Sequence, residues 1–227
     1  LFVLDTRLEG RDRQARWHLD YAALDDPHRD LLGHAQERWL LDAIAASRSA
    51  YTLLASQVML APLRRPPSTP MERPSPYRID TWDGYPVARR RLLEALEARG
   101  VRDLVVLAGD IHSSWASELA IDPFDPSRYD PVTGRGAIGV EFVTPGITSP
   151  SVVPRDALAG LLATNRHVQW AELTRCGYYV LELAAGGATA SYTLFDDITQ
   201  SETRAETAAT FRVARGTSHL ESVRTSI

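Results

Sequence analysis

Two residue types on which many enzymes depend are missing or nearly so. The sequence contains no lysine, and all 25 of its basic residues are arginine. A Walker A phosphate loop, a Schiff-base enzyme and the Ser-x-x-Lys nucleophile of β-lactamases each need a lysine amine, so all three are excluded. An anion would have to be held by guanidinium, backbone N–H groups or a metal. Cys176 is the sole cysteine. It allows no intrachain disulfide and no thiolate zinc or iron–sulfur site. No apolar run approaches the ~20 residues that a membrane-spanning helix needs. Excess positive charge is lacking too: the formal net charge is −4 over 227 residues, with a pI near 5.9. A sequence-independent nucleic-acid binder needs a net-basic surface to displace counterions from phosphates, so no such surface is expected.

What is present is an ordinary globular composition, 44% hydrophobic and 24% charged. Leu1-Phe2-Val3-Leu4 reads as a strand already inside a core, without the charged start of a signal peptide. The chain is therefore expected to continue upstream, with its length describing part of a domain. Gly33 to Ser47 predicts a helix, with Ala35, Trp39, Leu40, Ala43 and Ile44 near one face. Tyr51 to Gln57 predicts a second buried strand. Residues 61–83 carry Pro62, Pro66, Pro67, Pro70, Pro74 and Pro76, a density that excludes helix and central strand. A loop that long is usually functional or disordered. A second helix follows, with Asp83 as N-cap, Pro86 in the first turn, Val87, Leu92, Leu93 and Leu96 as packing face, and Gly100 as stop.

Leu104-Val105-Val106-Leu107 is the continuous apolar run of a strand buried on both faces. A further strand is predicted at Ile138 to Val143 and a short helix at Asp156 to Ala163. Tyr178 to Leu183 and Ala188 to Phe195 form a hairpin pattern across Gly186-Gly187. Thr210 to Val213 is one more strand candidate in an otherwise polar tail. Helix-linked buried strands followed by strands with little helix imply an α/β or α+β domain on a mixed sheet.

Ligands of open α/β sheets bind beyond the carboxyl ends of the strands. Gly109-Asp110-Ile111-His112 is the strongest candidate there. An extended exit would put Asp110 and His112 on one side, converging on one metal; the plain alternative is a turn-capping Asp and an exposed His. Asp5-Thr6-Arg7 is a second exit, where Arg7 either clamps a phosphate or forms a rim salt bridge. Ser56-Gln57 closes a third. Parallel neighbours would bring all three exits to one rim. Trp82, Asp83 and Tyr85 either line an entrance or pack beside a capping Asp. Ser113 and Ser114 either touch phosphate or cap Trp115 and a helical turn. The other histidines, His18, His28, His34, His167 and His219, read as surface or helix-end residues. Gly134-Arg135-Gly136-Ala137-Ile138-Gly139 spells a dinucleotide fingerprint but enters a strand instead of a helix, and is rejected. No Gly-x-Ser-x-Gly elbow supports a serine hydrolase on Ser113 or Ser114.

Taken in order, several blocks resemble one family. They are Leu4-Asp5-Thr6-Arg7; Leu32-Gly33 with Gln36 and Trp39-Leu40; Leu54 to Met59; Trp82-Asp83-Gly84-Tyr85-Pro86 with Arg89; Leu107 to Ala116; Glu141-Phe142-Val143; and Ile147-Thr148-Ser149. From Leu1 to about Asp197 the chain resembles the carboxy-terminal half of PhoD-like alkaline phosphatases, a branch of the calcineurin-like metallophosphoesterases. The blocks Trp82 to Pro86 and Gly109 to Trp115 are the most specific.

The resemblance implies a metallophosphoesterase-like α/β/β/α sandwich, here only its carboxy-terminal half. Residues 1–197 would be that part of the domain and 198–227 a polar tail with one possible strand. It implies metal-dependent hydrolysis of phosphate monoesters and diesters, with calcium and iron ions as cofactors. Asp110 and His112 align with metal ligands, and Arg7 and His112 with catalytic positions. Gln57 stands where many relatives carry a metal-binding His. The early Gly-Asp and the Trp-Asp-Asp-His motifs of such enzymes do not occur here, and Leu8-Glu9-Gly10-Arg11-Asp12 departs from the commoner Gln-Tyr-Arg continuation. The expected partners are a phosphoester substrate and the upstream half of the same domain. A periplasmic or secreted location is expected by resemblance. The alternative is a non-catalytic half-domain that completes a sheet with another chain.

Overall fold

The structure is a computed structural model that describes residues 1–66, 69 and 73–225. Pro67 and Pro70 of the proline-rich segment, and Ser226 and Ile227 of the tail, lie outside the described residues. In chain order the elements are β1 (Phe2–Val3), α1 (Tyr21–Leu24), α2 (Gly33–Ala46), β2 (Thr52–Ala55), α3 (Pro86–Ala98), β3 (Leu104–Ala108), β4 (Ser114–Ala120), β5 (Ala137–Val143), α4 (Leu158–Thr164), β6 (Val168–Glu172), β7 (Gly177–Ala184), β8 (Gly187–Phe195), β9 (Ala205–Ala214) and β10 (Glu221–Thr225). Short 3₁₀ turns precede α3 at Trp82–Gly84 and α4 at Arg155–Ala157.

The first sheet is six-stranded, ordered β1-β2-β3-β5-β4-β6. Neighbours from β1 to β5 run parallel, and β4 runs antiparallel to both β5 and β6. The second sheet is an antiparallel ladder, β10-β9-β8-β7. Strand alternation divides the core between these layers. Leu104, Val106 and Ala108 face the helices, with Leu40, Ile44, Leu92, Leu93 and Leu96. Val105, Val140 and Phe142 face the second sheet, meeting Ala190, Tyr192, Ala209 and Phe211. Alanine at several β8 and β9 positions lets the sheets approach around the large rings. Tyr192 donates its hydroxyl to the Trp115 carbonyl at 2.6 Å, satisfying a polar group in that interface. Helix, sheet and sheet thus form three layers of the expected sandwich, and the outer face of the second sheet is exposed at Tyr178 and Val180.

Several expectations need correction. β1 is an edge strand, and Leu1 and Val3 are 72% and 66% exposed; only Phe2 and Leu4 reach the helix-side core. Trp39 is half-exposed and meets Phe2 edge-on, while Leu41 takes its place in the buried face of α2. Asp83 does not cap α3. It sits in the preceding turn, which Thr81 caps, and Tyr85 occupies the N-cap position. The stop at Gly100 is as predicted: φ is +65° and its N–H reaches the Glu97 carbonyl. Ser113-Ser114-Trp115 opens no helical turn. Ser114 starts β4, a strand buried along its whole length. The tail holds two strands, and β9 pairs with both β8 and β10.

The proline-rich segment stays in the core at first, and residues 58–63 are all buried. Buried irregular backbone must find hydrogen-bond partners. Ser56 donates to the Val58 carbonyl at 2.6 Å. Glu141, from β5, accepts the N–H groups of Leu60 and Ala61 at 2.7 and 2.8 Å. His167 Nε2 meets the Pro62 carbonyl at 2.8 Å. Asp83 accepts the Leu63 N–H at 3.0 Å. Asn165 accepts the Arg64 N–H at 2.7 Å and donates to its carbonyl at 3.0 Å. His167 is therefore fully buried, against the surface role expected for it.

Burial pushes the Glu141 and Asp83 carboxyls up to about 7 and the His167 imidazole down to about 3. A carboxyl raised on folding binds protons more tightly in the native state, so its stabilisation is full below the unfolded pKa and lost as pH rises through the folded one. His167 acts oppositely, losing stability as pH falls below its unfolded value of 6.5. The contribution of Glu141 is isolated by Glu141→Gln. Thermal melts should show a penalty for this variant that is full at and below the unfolded carboxyl pKa of 4.5, shrinks as pH rises from there to about 7, and is level above it. A penalty independent of pH would contradict this account.

Candidate functional site

β1, β2 and β3 are parallel neighbours, so their carboxyl ends lie on one rim. The three exits read from the sequence meet there. Arg7, after β1, donates Nη2 to Asp110 Oδ1, after β3. Asp5 builds the turn that launches Arg7: its carboxylate accepts the N–H groups of Arg7, Leu8 and Glu9 at 2.8, 2.9 and 3.2 Å. These backbone donors hold the Asp5 carboxyl below its ordinary pKa. Gln36 reaches from α2 to fix the Asp5 backbone on both its N–H and its carbonyl.

The exit after β3 is not extended. Asp110 and His112 have φ of +71° and +57°, the left-handed region that non-glycine residues seldom occupy. Ile111 between them is buried in the helix-side core. That anchor turns its two neighbours outward at the rim. Strain of this kind persists only where surrounding structure enforces it, and it clusters at functional sites. The pair Arg7–Asp110 is itself a quarter to a third exposed. A pair so exposed adds only about 0–1 kcal/mol to stability, so folding alone gives little reason for it.

His112 Nδ1 stands 3.1 Å from the Pro150 carbonyl. Since a carbonyl only accepts, Nδ1 carries the proton, and in the neutral ring the lone pair sits on Nε2. This is the usual second-shell arrangement of a metal-binding His. Asp110 offers a carboxylate whose Oδ1 is engaged by Arg7. An imidazole and a carboxylate suit a metal as part of a ligand set, but among the described residues no three His, Cys, Asp or Glu side chains are grouped to hold one.

Gln57 has a structural task. Its side-chain oxygen accepts the Thr6 N–H at 2.6 Å and the Thr6 hydroxyl at 2.8 Å, tying the first two exits together. Trp82 and Tyr85 are buried and line no entrance. Ser113 and Ser114 are also fully buried, with Ser113 bonded to Trp115. Sequence reasoning missed Arg11, Arg78 and Asp80. Arg78 donates to both oxygens of Asp80 at 3.1 and 2.9 Å. The Asp80 carbonyl accepts from Arg7 at 3.2 Å and from Arg11 at 3.0 Å. The only signal was the pair Arg78-Ile79-Asp80 just before the Trp82 block.

Residues 1–192 match the family model described as PhoD-like phosphatase. Alkaline phosphatase D of Bacillus subtilis (strain 168) is 33% identical over 215 residues, covering 92% of this chain and 34% of that relative. A solved structure described as the structure of PhoD superposes with a TM-score of 0.85 at 29% identity, covering 99% of this chain and 42% of the other. The chain therefore spans about a third of the length of the curated relative that it matches.

Replacing Gln57 with Ala strips the acceptor from two donors of fully buried Thr6. Urea denaturation should register a loss of roughly 1–3 kcal/mol. An unchanged midpoint would show that Gln57 does not hold the rim together.

Proposed function

This chain belongs to the PhoD-like phosphatase family, and from that premise we propose that it contributes one part of a metal-dependent site hydrolysing phosphate monoesters and diesters. The observation that carries the reading is the junction of Arg7 and Asp110 on one strand-exit rim, with His112 two residues after Asp110. Asp110 and His112 Nε2 would hold metal, completed by ligands from outside this chain. A carboxylate suits calcium and an imidazole suits iron. When bound, such ions polarise phosphoryl oxygens and lower the pKa of an attacking water.

Arg7 supplies the fixed positive charge. A guanidinium has five N–H donors in a planar fork. Arg7 uses one toward Asp110 and one toward the Asp80 carbonyl, and the remaining three, without a partner among the described residues, would serve phosphoryl oxygens. Because both anchors hold the group before substrate arrives, little reorganisation is needed as charge develops on the phosphoryl group. His112 serves in this reading as a ligand: with Nε2 on metal and Nδ1–H on the Pro150 carbonyl, its ring keeps no proton for the leaving oxygen. The location that goes with this reading is periplasmic or secreted. No helix among the described residues is long and apolar enough to cross a membrane.

A second reading, a non-catalytic half-domain that completes a sheet with another chain, draws on a different observation. β1 and β7 end their sheets, and Leu1, Val3, Val180 and Leu183 are exposed around these edges. The two readings diverge in the full-length protein assayed with bis(p-nitrophenyl) phosphate. Arg7→Ala and Asp110→Ala should each lower kcat/KM by about a hundredfold or more. Bound metal should fall in Asp110→Ala and persist in Arg7→Ala. Wild-type rates in both variants would leave only the half-domain reading.

A further inference from the structure

Arg78 lies between two carboxylates. It grips Asp80 with a two-pronged fork, Nε and Nη2 to the two oxygens at 3.1 and 2.9 Å. The same Nη2 is 3.9 Å from Asp110 Oδ2. Arg7 already occupies Asp110 Oδ1. At 3.9 Å Arg78 and Asp110 form a long ion pair without a hydrogen bond. If Arg78 closed on Oδ2, both oxygens of Asp110 would be hydrogen-bonded to guanidinium, and a cation would have to displace one of them. The fork on Asp80 prevents this, because a bidentate Arg–carboxylate pair is strong and geometrically fixed.

Asp80 is well suited to that task. Its backbone carbonyl takes Nη1 of Arg7 and Nη2 of Arg11, so the main chain is pinned by two guanidiniums while the side chain restrains a third. The Arg78–Asp80 pair is a quarter to a third exposed, much like Arg7–Asp110; what sets it apart is the two-pronged geometry, which fixes the guanidinium in place. Burial alone would raise the Asp80 carboxyl pKa, yet the hydrogen bonds and charge of Arg78 hold it below its ordinary value.

We propose that Asp80 is a positioning residue that holds Arg78 away from Asp110 and so keeps Asp110 Oδ2 open to a metal cation. The inference rests on the proposed metal role of Asp110. It gives the irregular segment before α3 a purpose: it delivers an acid–base pair that sets the charge felt at a neighbouring strand exit. The effect is indirect, since Asp80 itself touches neither cation nor substrate.

The test is calcium titration calorimetry on the full-length protein without substrate, for Asp80→Asn, Arg78→Gln, the double variant and Asp110→Ala. Asp80→Asn frees Arg78 to close on Asp110 and should weaken calcium binding by about tenfold, as loss of an outer-shell partner commonly does. Removing Arg78 as well should restore the affinity, which loss of a merely structural residue would not allow. Arg78→Gln alone should bind calcium at least as tightly as wild type, and this arm stands even if Asp80→Asn fails to fold. Wild-type affinity in Asp80→Asn would overturn the inference, as would a double variant no better than Asp80→Asn, or weaker binding in Arg78→Gln. If Asp110→Ala binds calcium like wild type, the metal reading of Asp110 fails first, and the inference falls with it.

Discussion

A chain that leaves a buried strand without entering a helix must still pair its backbone N–H and carbonyl groups. In this protein that constraint falls on residues 58–64. They leave β2 and run through the core with no ladder of their own. Glu141, Asp83, His167 and Asn165 supply the missing partners from β5, the turn before α3, and the segment between α4 and β6. Each is buried, and each would be costly if unpaired. Arg89, also buried, lies close enough for its charge to oppose part of the upward push that burial gives the Asp83 and Glu141 carboxyls. The polar interior is therefore the template that fixes where the proline-rich segment begins.

The rim depends on that template. The same segment returns to the surface at Pro76 to Asp80, where Arg65 holds the Pro76 and Tyr77 carbonyls at 3.3 and 3.1 Å. Asp80 then receives Arg7 and Arg11 from the exit of β1. Side chains far apart in sequence, Arg7, Arg78 and Asp110, meet because three parallel strands end together and one irregular segment crosses beside them. With lysine absent, every cation in this network is a planar guanidinium. Its fork can bind one carboxylate through two nitrogens or divide its donors between a carboxylate and a carbonyl.

Legibility in the sequence followed local pattern. β3 and α2 were visible because apolar runs and helical spacing are properties of neighbouring residues, and the β7–β8 hairpin was visible through its paired glycines. β4 was not: Ser114-Trp115-Ala116-Ser117-Glu118-Leu119-Ala120 is buried on both faces yet shows no alternation. Its Glu118 is tolerated because Tyr129, His219 and the Leu220 N–H all donate to it. β10 is wholly exposed and carries no burial signal. At the site, the residues after β1 and β3 were legible as polar strand exits, and parallel pairing brought them to one rim as expected. The left-handed backbone at Asp110 and His112 was not: both types tolerate that region better than most, yet they do so at few of their positions, and here it goes with the burial of Ile111 between them. Gln57 appeared as a possible ligand position, whereas its tie to Thr6 is a tertiary contact. Arg78 and Asp80 showed only as an acid–base pair before the Trp82 block, and their reach toward Arg7 and Asp110 is likewise tertiary.

We propose that this chain holds one part of a divided phosphoester site, and reconstitution is the decisive experiment. The 227-residue chain and the remainder of the full-length protein would be produced separately, then assayed alone and mixed with bis(p-nitrophenyl) phosphate and added metal. The account predicts little or no hydrolysis by either part and recovery on mixing. Full hydrolysis by the 227-residue chain alone would contradict it.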